Sequence, residues 1–369
     1  MITKTILALE SSCDETSVSV VQGRFASASA NELPMSVRVL AHFVESQTVH
    51  LAFGGVVPEV AARDHLVKIT PLATTCISHS GIAPDILDGI AVTLGPGLIG
   101  ALMVGTLFAQ GLALALNKPL LGINHVDAHL APALLLNRFN PEADLQQWIE
   151  VANVEYPALA LTVSGGHCHL SLLKSPVDRT ILGYTADDAC GEAFDKVAKL
   201  LGLPYPGGPH LEKLAHQSDA QNQSFKFTST LADKTNRHGF SYSGLKTQVL
   251  DSVRRQLGHP QGRIDGSKLP SETKANIAAA FQDAAIGQLA DRLQNALNDY
   301  PEVKSILVAG GVAANSVFRE KINKFSPRQV RFAPLSLCSD NATMIGLHAL
   351  LPGARLSAHH PFSRYSYPS

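Results

Sequence analysis

The sequence predicts an α/β protein built from two similar lobes, and three observations support this. Twice along the chain, two strand patterns joined by a tight turn open a long segment. Two further apolar strands run into glycine loops that precede helical patterns, which is typical of parallel α/β units. The chain has 369 residues, more than one ordinary core accommodates, so two lobes are expected.

The two strand–turn–strand segments have the same arrangement of an apolar strand, a tight turn and a second strand. In the first, the apolar strand Ile6–Glu10 is followed by the polar turn Ser11–Thr16 and by an alternating strand that starts at Ser17. In the second, the strand ALALTVS is followed by Gly-Gly-His and by the strand HLSLLK. We interpret the recurrence as a weak internal duplication, visible in architecture and not in residue identity.

The two strand–glycine–helix units lie further along each lobe. One places a strand at Ile90–Leu94 before Gly-Pro-Gly, and the other places a strand at Ile306–Ala309 before Gly-Gly, with a helix beginning near Asn315. Between them, apolar residues at helical spacing predict amphipathic helices over Ala189–Leu201 and Asn276–Leu297. Residues 220–263 are polar and irregular apart from one helix-like run, which suggests an excursion or lid.

Composition indicates a globular protein without a strongly basic character. Hydrophobic residues make up 45% and charged residues 17%, and the formal net charge is −1. Five scattered cysteines without a C-x-x-C pair are typical of reduced intracellular thiols, and no signal peptide is recognisable, so we expect a cytoplasmic protein. The uncharged stretch Leu98–Leu116 has the length of a membrane span, but its glycines and its place after a strand and a glycine loop predict a buried core helix and no membrane.

The segment NHVDAHL contains two histidines four residues apart. On a helix His125 and His129 share one face and can reach one metal ion, although two unrelated histidines would show the same spacing. A zinc protease of the H-E-x-x-H type needs a glutamate next to its first histidine, and Val126 stands there. The segment therefore favours a metal site that is not proteolytic.

Glycine loops and acidic residues supply further candidate site positions. Gly-Gly at 165–166 and Gly-Gly at 310–311 could present backbone N–H groups to an anion, although a plain hairpin turn explains the first equally well. Asp14 and Glu15 could meet a metal-bound water or a phosphate, or form a solvated turn. Asp340 could complete a two-histidine metal site or cap a helix, and Asp195 could bind a ribose hydroxyl or lie on a solvated helix face.

Together these features predict the actin-like, Hsp70 and sugar-kinase (ASKHA) fold, with two ribonuclease-H-like lobes around a central cleft. We expect an N-terminal lobe over 1–130 and a C-terminal lobe over 131–340 with a helical excursion near 187–300. Residues 341–369 are expected to form a C-terminal helix and tail that pack back on the N-terminal lobe.

The motifs also resemble one family over nearly the whole chain: the tRNA threonylcarbamoyladenosine transferases of the bacterial TsaD type. The matching segments include ESSCDETS, GGVVPEVAARDH, GPGLIGALMVG, NHVDAHL, VSGGH, DDACGEAFDKVAKLLGLPYPGGP, FSYSGLKT, GGVAAN and SDNATMI. The sequence departs from the family at Cys168, where threonine is usual, and at Thr343 and Gly346, where alanine is common.

The resemblance implies transfer of threonylcarbamoyl from threonylcarbamoyl-AMP to the N6 amine of the adenosine immediately 3′ of the anticodon, in tRNAs that read codons beginning with A. It makes His125, His129 and Asp340 ligands of one divalent metal ion per subunit, Fe²⁺ with Zn²⁺ as the alternative. It also implies an ATP- or ADP-like nucleotide in the donor pocket. The implied substrate-binding residues are Thr162, Val163, Ser164, Gly165, Gly166, Asp195, Gly208 and Asn315. Asp14 and Glu15 are the candidates that orient or deprotonate the attacking amine.

The resemblance further implies tRNA as a partner, together with a TsaB-like paralogue and a small TsaE-like ATPase, or a homodimer if the chain acts alone. An ATP-dependent small-molecule kinase of the same fold, a metalloprotease and a non-catalytic scaffold are the alternatives. The basic residues available for phosphate contacts are Lys196, Lys199, Arg237, Lys246, Arg254 and Arg255.

Overall fold

The computed structural model divides the chain into two units. The first comprises Met1–Val154 and the described residues from Ala333 onward, and the second comprises Glu155–Phe332. The described residues are 1–27, 32–53, 55–136, 147–218, 224–228, 236–258, 265–325 and 328–353. Residues 354–369 of the expected tail and parts of the expected excursion at 220–263 lie outside them.

A mixed sheet forms the centre of the first unit. Its strands in the described residues are β1 (Ile2–Glu10), β2 (Glu15–Phe25), β3 (Ser36–Ser46), β4 (Gly89–Gly95), β5 (Leu120–Asn124) and β6 (Ile149–Glu150). They lie in the order β5-β4-β1-β2-β3-β6. β1 pairs antiparallel with β2 and parallel with β4, so the strand pattern that opens the sequence runs through the middle of the sheet.

Two long helices cover one face of this sheet. The helices of this part of the chain are α1 (Pro58–Ser80), α2 (Ile99–Leu116) and α3 (His125–Ala128). Leu7 and Val20 of the sheet pack in one core cluster with Ile69 and Leu72 of α1 and Ala109 of α2. Burial of these apolar side chains is the main term that holds the helices on the strands.

Helix α2 differs from the buried core helix expected from its sequence. Its small residues, including Ala101, Gly105 and Ala109, form a buried face, but only 28% of the helix is buried. Leu107 and Leu114 on the opposite side are 57% and 85% exposed. The expectation was wrong for this outer face, because an uncharged sequence shows that a helix is apolar but not that both of its sides are covered. By length and composition α2 would also suit a membrane span, which for a single helix is weak evidence.

The second unit contains a five-stranded sheet in the described residues. Its strands are β7 (Ala158–Val163), β8 (Cys168–Leu173), β9 (Arg179–Tyr184), β10 (Ser305–Ala309) and β11 (Gln329–Phe332). The helices of this unit are α4 (Cys190–Leu200), α5 (Gly207–Ala215), α6 (Ser243–Leu257), α7 (Ser271–Asp299) and α8 (Ser316–Asn323). Short 3-10 helices of the chain span Thr48–Ala52, Pro84–Ile86, Ala131–Leu134, Gly266–Lys268, Gly311–Ala314 and Leu335–Leu337.

The two sheets repeat one topology, which confirms the duplication inferred from the sequence. The second sheet has the order β11-β10-β7-β8-β9, which matches β5-β4-β1-β2-β3 strand for strand. The senses match as well, since β7 pairs antiparallel with β8 and parallel with β10. Each unit therefore begins with an antiparallel hairpin and continues with parallel strands, as in a ribonuclease-H-like lobe.

A last helix, α9 (Ala342–Ala349), belongs to the first unit and packs against β1 and β2. Two residues of α9, Thr343 and Gly346, lie at this contact. The Thr343 hydroxyl is 2.7 Å from His42 Nδ1 and 2.9 Å from Ser19 Oγ, so it joins α9 to β2 and β3 by hydrogen bonds. Gly346 lies close to Val21, where a Cβ would come within 2.6 Å of a valine methyl group.

The expected lobe limits at 130/131 and 340/341 differ from the division at 154/155 and 332/333. Residues after 130 remain with the first unit because β6 pairs with β3, and Leu135 bridges Val151. Residues 333–340 join it because they lead directly into α9. These long-range pairings have no local signature in the sequence.

Candidate metal centre and glycine-loop site

The two histidines come together where β5 ends. The Asn124 side chain caps α3 by accepting a hydrogen bond from the Asp127 amide at 3.1 Å, which starts a helical turn at His125. His129 follows this turn directly, and the two ring centroids are 4.8 Å apart. The four-residue spacing therefore places both imidazoles together, as predicted. Val126, the position that a protease would fill with a general base, is 2% exposed and apolar.

Asp340 brings a carboxylate to the two rings from the loop before α9. Its Oδ1 lies 3.5 Å from His125 Nε2 and 3.2 Å from His129 Nε2. One ligand atom from each of the three residues lies within 4.8 Å of the others. Sequence spacing alone could not have predicted this contact, because about 210 residues separate Asp340 from the histidine pair.

The three side chains fit a divalent transition metal. His129 is fully buried, and although its Nε2 lies 3.2 Å from Asp340 Oδ1, neither ring nitrogen makes a hydrogen bond of acceptable geometry among the described residues. A buried imidazole without such a bond is costly unless another partner, such as a metal ion, satisfies it. Two imidazoles and one carboxylate with open positions suit Fe²⁺ or Zn²⁺.

A buried carboxylate that was not among the predicted site residues lies behind His125. Glu10, at the end of β1, is 1% exposed and lies 3.0 Å from His125 Nδ1. Burial opposes its ionisation, but the His125 ring outweighs burial and holds the pKa of Glu10 below its ordinary value. Burial likewise disfavours the charged His125 ring, yet Asp340 and Glu10 raise its pKa to about 9. In the sequence, the signal that could have indicated Glu10 is an acidic residue at the end of an apolar strand.

The acidic turn of Asp14 and Glu15 lies within electrostatic range of this centre. Burial, then the charges of Asp340 and Asp14, raise the pKa of Glu15 well above its ordinary value. His65 of α1 holds the turn, with Nδ1 2.8 Å from Thr16 Oγ1 and Nε2 3.0 Å from the Cys13 carbonyl. Burial and the neighbouring carboxylates therefore oppose ionisation of Glu15.

In the second unit, the segment Thr162–Gly166 forms the end of β7 and a tight turn. The Ser164 amide donates to the His167 carbonyl at 2.7 Å, and the His167 amide donates to Ser164 Oγ at 3.1 Å. A Cβ on Gly165 or Gly166 would meet no atom within 4 Å. Neither glycine amide has a hydrogen-bond acceptor in the described part of the chain. The turn is a hairpin that also leaves two N–H groups for an anion.

Two other glycines allow neighbouring backbone to approach this turn. Gly310 has φ +90°, and a Cβ there would overlap the Val163 carbonyl. Gly191 lies in the first turn of α4, where a Cβ would come within 2.7 Å of the Ser164 carbonyl. The Gly191 amide donates to that carbonyl at 3.2 Å. The second glycine loop and the start of α4 therefore contact the β7–β8 turn.

The remaining predicted substrate residues lie on α4, α5 and α8. Asp195 Oδ1 accepts a hydrogen bond from the Gly207 amide at 2.7 Å, which ties α4 to the start of α5. At Gly208, the next residue, a Cβ would meet no atom within 4 Å. Asn315 caps α8 through the Phe318 amide and donates to Gln282 Oε1 at 3.0 Å. Its side chain thus has a structural role, and its part in substrate binding stays a prediction.

Most of the basic residues named for phosphate contacts are already paired with carboxylates. Lys196 and Lys246 both bind Asp188, at 2.6 and 2.7 Å. Arg237 pairs with Asp299 at 3.1 Å. These pairs reduce the charge that the side chains present to a nucleic acid.

Comparison with known proteins agrees with this geometry. The family model described as "TsaD: tRNA N6-adenosine threonylcarbamoyltransferase" matches residues 38–347. The chain belongs to the TsaD family. Its relatives include the tRNA N6-adenosine threonylcarbamoyltransferase of Moorella thermoacetica, 41% identical over 93% of this chain and 90% of that protein. The protein of the same name from Thermosipho africanus is 40% identical over 93% of this chain and 92% of its own length. Members of the TsaD family are acyltransferases.

A solved structure confirms the fold class of this TsaD-family chain. The crystal structure of HypF from T. kodakarensis aligns with a TM-score of 0.55 at 14% identity, covering 94% of this chain and 47% of HypF. That level of identity informs on fold alone. Together with the repeated sheet topology, it identifies the ASKHA fold expected from the sequence.

Proposed function

We propose that the chain transfers the threonylcarbamoyl group from threonylcarbamoyl-AMP to the N6 amine of the adenosine immediately 3′ of the anticodon. The acceptors would be tRNAs that read codons beginning with A. The observation that carries the proposal is the cluster of His125, His129 and Asp340 in a chain that matches the TsaD family over residues 38–347. A kinase of the same fold has no use for such a cluster, and a protease would need a base where Val126 stands.

The cluster would hold one divalent ion, Fe²⁺ in our proposal and Zn²⁺ as the alternative. When bound, such an ion supplies Lewis-acid stabilisation to a carbamoyl or phosphate oxygen. The donor is a mixed anhydride with AMP as a good leaving group, so the chain needs no Ser-His or Cys-His nucleophile and no covalent intermediate.

The second unit would bind the nucleotide part of the donor, and an ATP- or ADP-like nucleotide would use the same pocket. The amides of Gly165 and Gly166 are directed at no acceptor in the described chain, so they suit the AMP phosphate. Asp195 would accept a bond from a ribose hydroxyl, and open space at Gly208 lets the ligand approach the backbone.

Asp14 and Glu15 would orient the attacking amine beside the metal centre. The raised pKa of Glu15 means that it holds a proton more readily than an ordinary glutamate, which suits hydrogen bonding better than proton abstraction. Asp14 and Glu15 both stay candidates for deprotonating the amine.

We expect the protein to act in the cytoplasm. The decisive experiment therefore supplies metal-loaded protein with unmodified tRNA, threonylcarbamoyl-AMP and its partner proteins in a buffer of cytoplasmic pH and ionic strength. The tRNA is then digested and examined for threonylcarbamoyladenosine by mass spectrometry. We expect the product with wild-type protein and its loss, together with the metal, in His125→Ala. No product from fully loaded wild-type protein would refute the proposed reaction.

We further propose that a TsaB-like paralogue covers the outer face of α1 and α2, with a TsaE-like ATPase joining the complex. The large apolar side chains exposed by more than half on this face are Leu66, Val67, Ile99, Leu107 and Leu114. A groove of about 400 Å³ lies between the two helices. A contiguous apolar patch of this kind is typical of a protein interface.

Introducing a charge on this face distinguishes the paralogue from a homodimer. Leu107→Asp should abolish co-purification with the paralogue, while Val177→Asp, an exposed apolar position of the second unit, should not. If Leu107→Asp instead dissociates a dimer of this chain in light scattering, a second copy covers the face. Unchanged binding in both assays would refute the docking surface.

A further inference from the structure

Glu10 is the buried group of the metal centre for which the proposed reaction has no use. Its carboxylate accepts hydrogen bonds from the Ser12 amide at 2.5 Å on Oε1 and from the Thr93 hydroxyl at 2.6 Å on Oε2. Oε2 also lies 3.0 Å from His125 Nδ1. The side chain is therefore fixed from two sides before it meets the imidazole.

We propose that Glu10 is a positioning residue that keeps the proton of His125 on Nδ1 and so leaves the Nε2 lone pair for the metal. Both oxygens of Glu10 already accept hydrogen bonds, from the Ser12 amide and the Thr93 hydroxyl, so the carboxylate faces His125 as an acceptor and Nδ1 is placed to carry the hydrogen. The other nitrogen, Nε2, is the one that lies 3.5 Å from Asp340. Carboxylates in this position fix the ring orientation and the tautomer of metal-binding histidines.

The two histidines are unequal in this respect. His125 Nδ1 has Glu10 Oε2 at 3.0 Å and the Ser12 hydroxyl at 3.2 Å, and Asp340 lies near its Nε2. His129 Nδ1, in contrast, has no hydrogen-bond partner among the residues described. The orientation of His125 is therefore set by the first sheet, and His129 depends on packing around its ring. Loss of Glu10 should act through His125 alone.

Replacement by glutamine exposes this role, because an amide cannot satisfy all three neighbours. If its oxygen accepts from the Ser12 amide, its NH₂ group faces His125 Nδ1 and favours the tautomer with hydrogen on Nε2. If the amide is turned, two donors meet at the Ser12 amide. The first arrangement opposes metal binding by His125 directly. The turned arrangement keeps an acceptor at Nδ1 but is disfavoured by the facing donors at Ser12, so the first should prevail, and Glu10→Gln preserves the shape of the side chain.

The test measures Zn²⁺ affinity directly, by competition with a chromophoric chelator, in Glu10→Gln and in the matched control Thr93→Val. The control removes another partner of the same carboxylate without changing the group that faces His125. We expect Glu10→Gln to bind Zn²⁺ about 10- to 100-fold more weakly than wild type, and Thr93→Val to lose less than about tenfold.

Wild-type affinity in Glu10→Gln, or equal losses in both variants, would overturn the proposal. A further measurement uses the wild-type protein, so it does not depend on whether a variant folds. In ¹⁵N-labelled, Zn²⁺-loaded wild type, NMR should show a slowly exchanging proton on Nδ1 of His125, and metal coordination through Nδ1 would contradict us.

The inference rests on the proposed metal site but not on the transferase reaction. A protein that binds Zn²⁺ as expected yet forms no modified nucleoside would count against the reaction only.

Discussion

Alanine substitutions at two adjacent glycines in the loop after β10 should have different effects on the free energy of unfolding. Gly310 has φ +90°, where an L-residue is strained by about 1–3 kcal/mol. A Cβ at Gly310 would also overlap the Val163 carbonyl, which cannot move without disturbing the β7–β10 pairing. Overpacking of this kind costs about 1–3 kcal/mol, so Gly310→Ala should lose about 2–6 kcal/mol in total.

Gly311→Ala is the matched control, because a Cβ there meets nothing within 4 Å. Alanine has less conformational entropy than glycine in the unfolded chain. Gly311→Ala should therefore leave the free energy of unfolding unchanged or raise it by about 0.4–1 kcal/mol. One kcal/mol shifts the Tm of a domain of this size by about 2–4 °C. Gly310→Ala should therefore unfold at least about 4 °C below Gly311→Ala in calorimetry. Midpoints within about 2 °C of each other would refute the steric argument.

The open space at Gly311 separates folding from binding in the same loop. An added methyl group should leave the fold intact while occupying space beside a loop that the sequence predicts as an anion-binding position. We expect Gly311→Ala to retain the wild-type Tm and to bind AMP more weakly in calorimetric titration. Unchanged AMP affinity would remove this loop from the proposed binding site.

Three further predictions concern pH, a helix cap and a second glycine pair. Burial lowers the pKa of His42 from 6.5 to about 4, so the unfolded chain binds more protons in this interval. Stability should then fall by up to about 3 kcal/mol as the pH drops from 6.5 to 4, and His42→Gln should flatten the denaturation profile there. Asp187 accepts hydrogen bonds from the amides of Tyr242 and Ser243 at the start of α6, so Asp187→Ala should cost about 1–2 kcal/mol in urea unfolding. Gly207→Ala should lower the Tm, because its Cβ would overlap Ala198, whereas Gly208→Ala should fold normally.

Local patterns predicted the elements of the fold well. Apolar runs around turns placed β1, β2, β7 and β8, and helical spacing placed α4 and α7, each within five residues of the observed bounds. Histidines four residues apart predicted that their rings would lie together, because a single helical turn decides that geometry.

Contacts between distant segments were harder to predict. Asp340 was assigned to the histidine pair by resemblance to a family, since no local pattern connects it to β5. The exposed face of α2 and the pairing of β6 with β3 depend on which surfaces meet after folding. Glu10 was overlooked for the same reason, because its partners Thr93 and His125 are 83 and 115 residues away in the chain.

The split of the first unit has a consequence for biosynthesis. Its sheet is encoded before Glu155, but α9 and Asp340 follow the whole of the second unit. At a translation rate of about 5–20 residues per second, Asp340 would be synthesised roughly 10–40 s after His129. During that interval the nascent chain carries two histidines and Glu10 without the third proposed ligand. The complete metal site would then form only after the second unit has been synthesised.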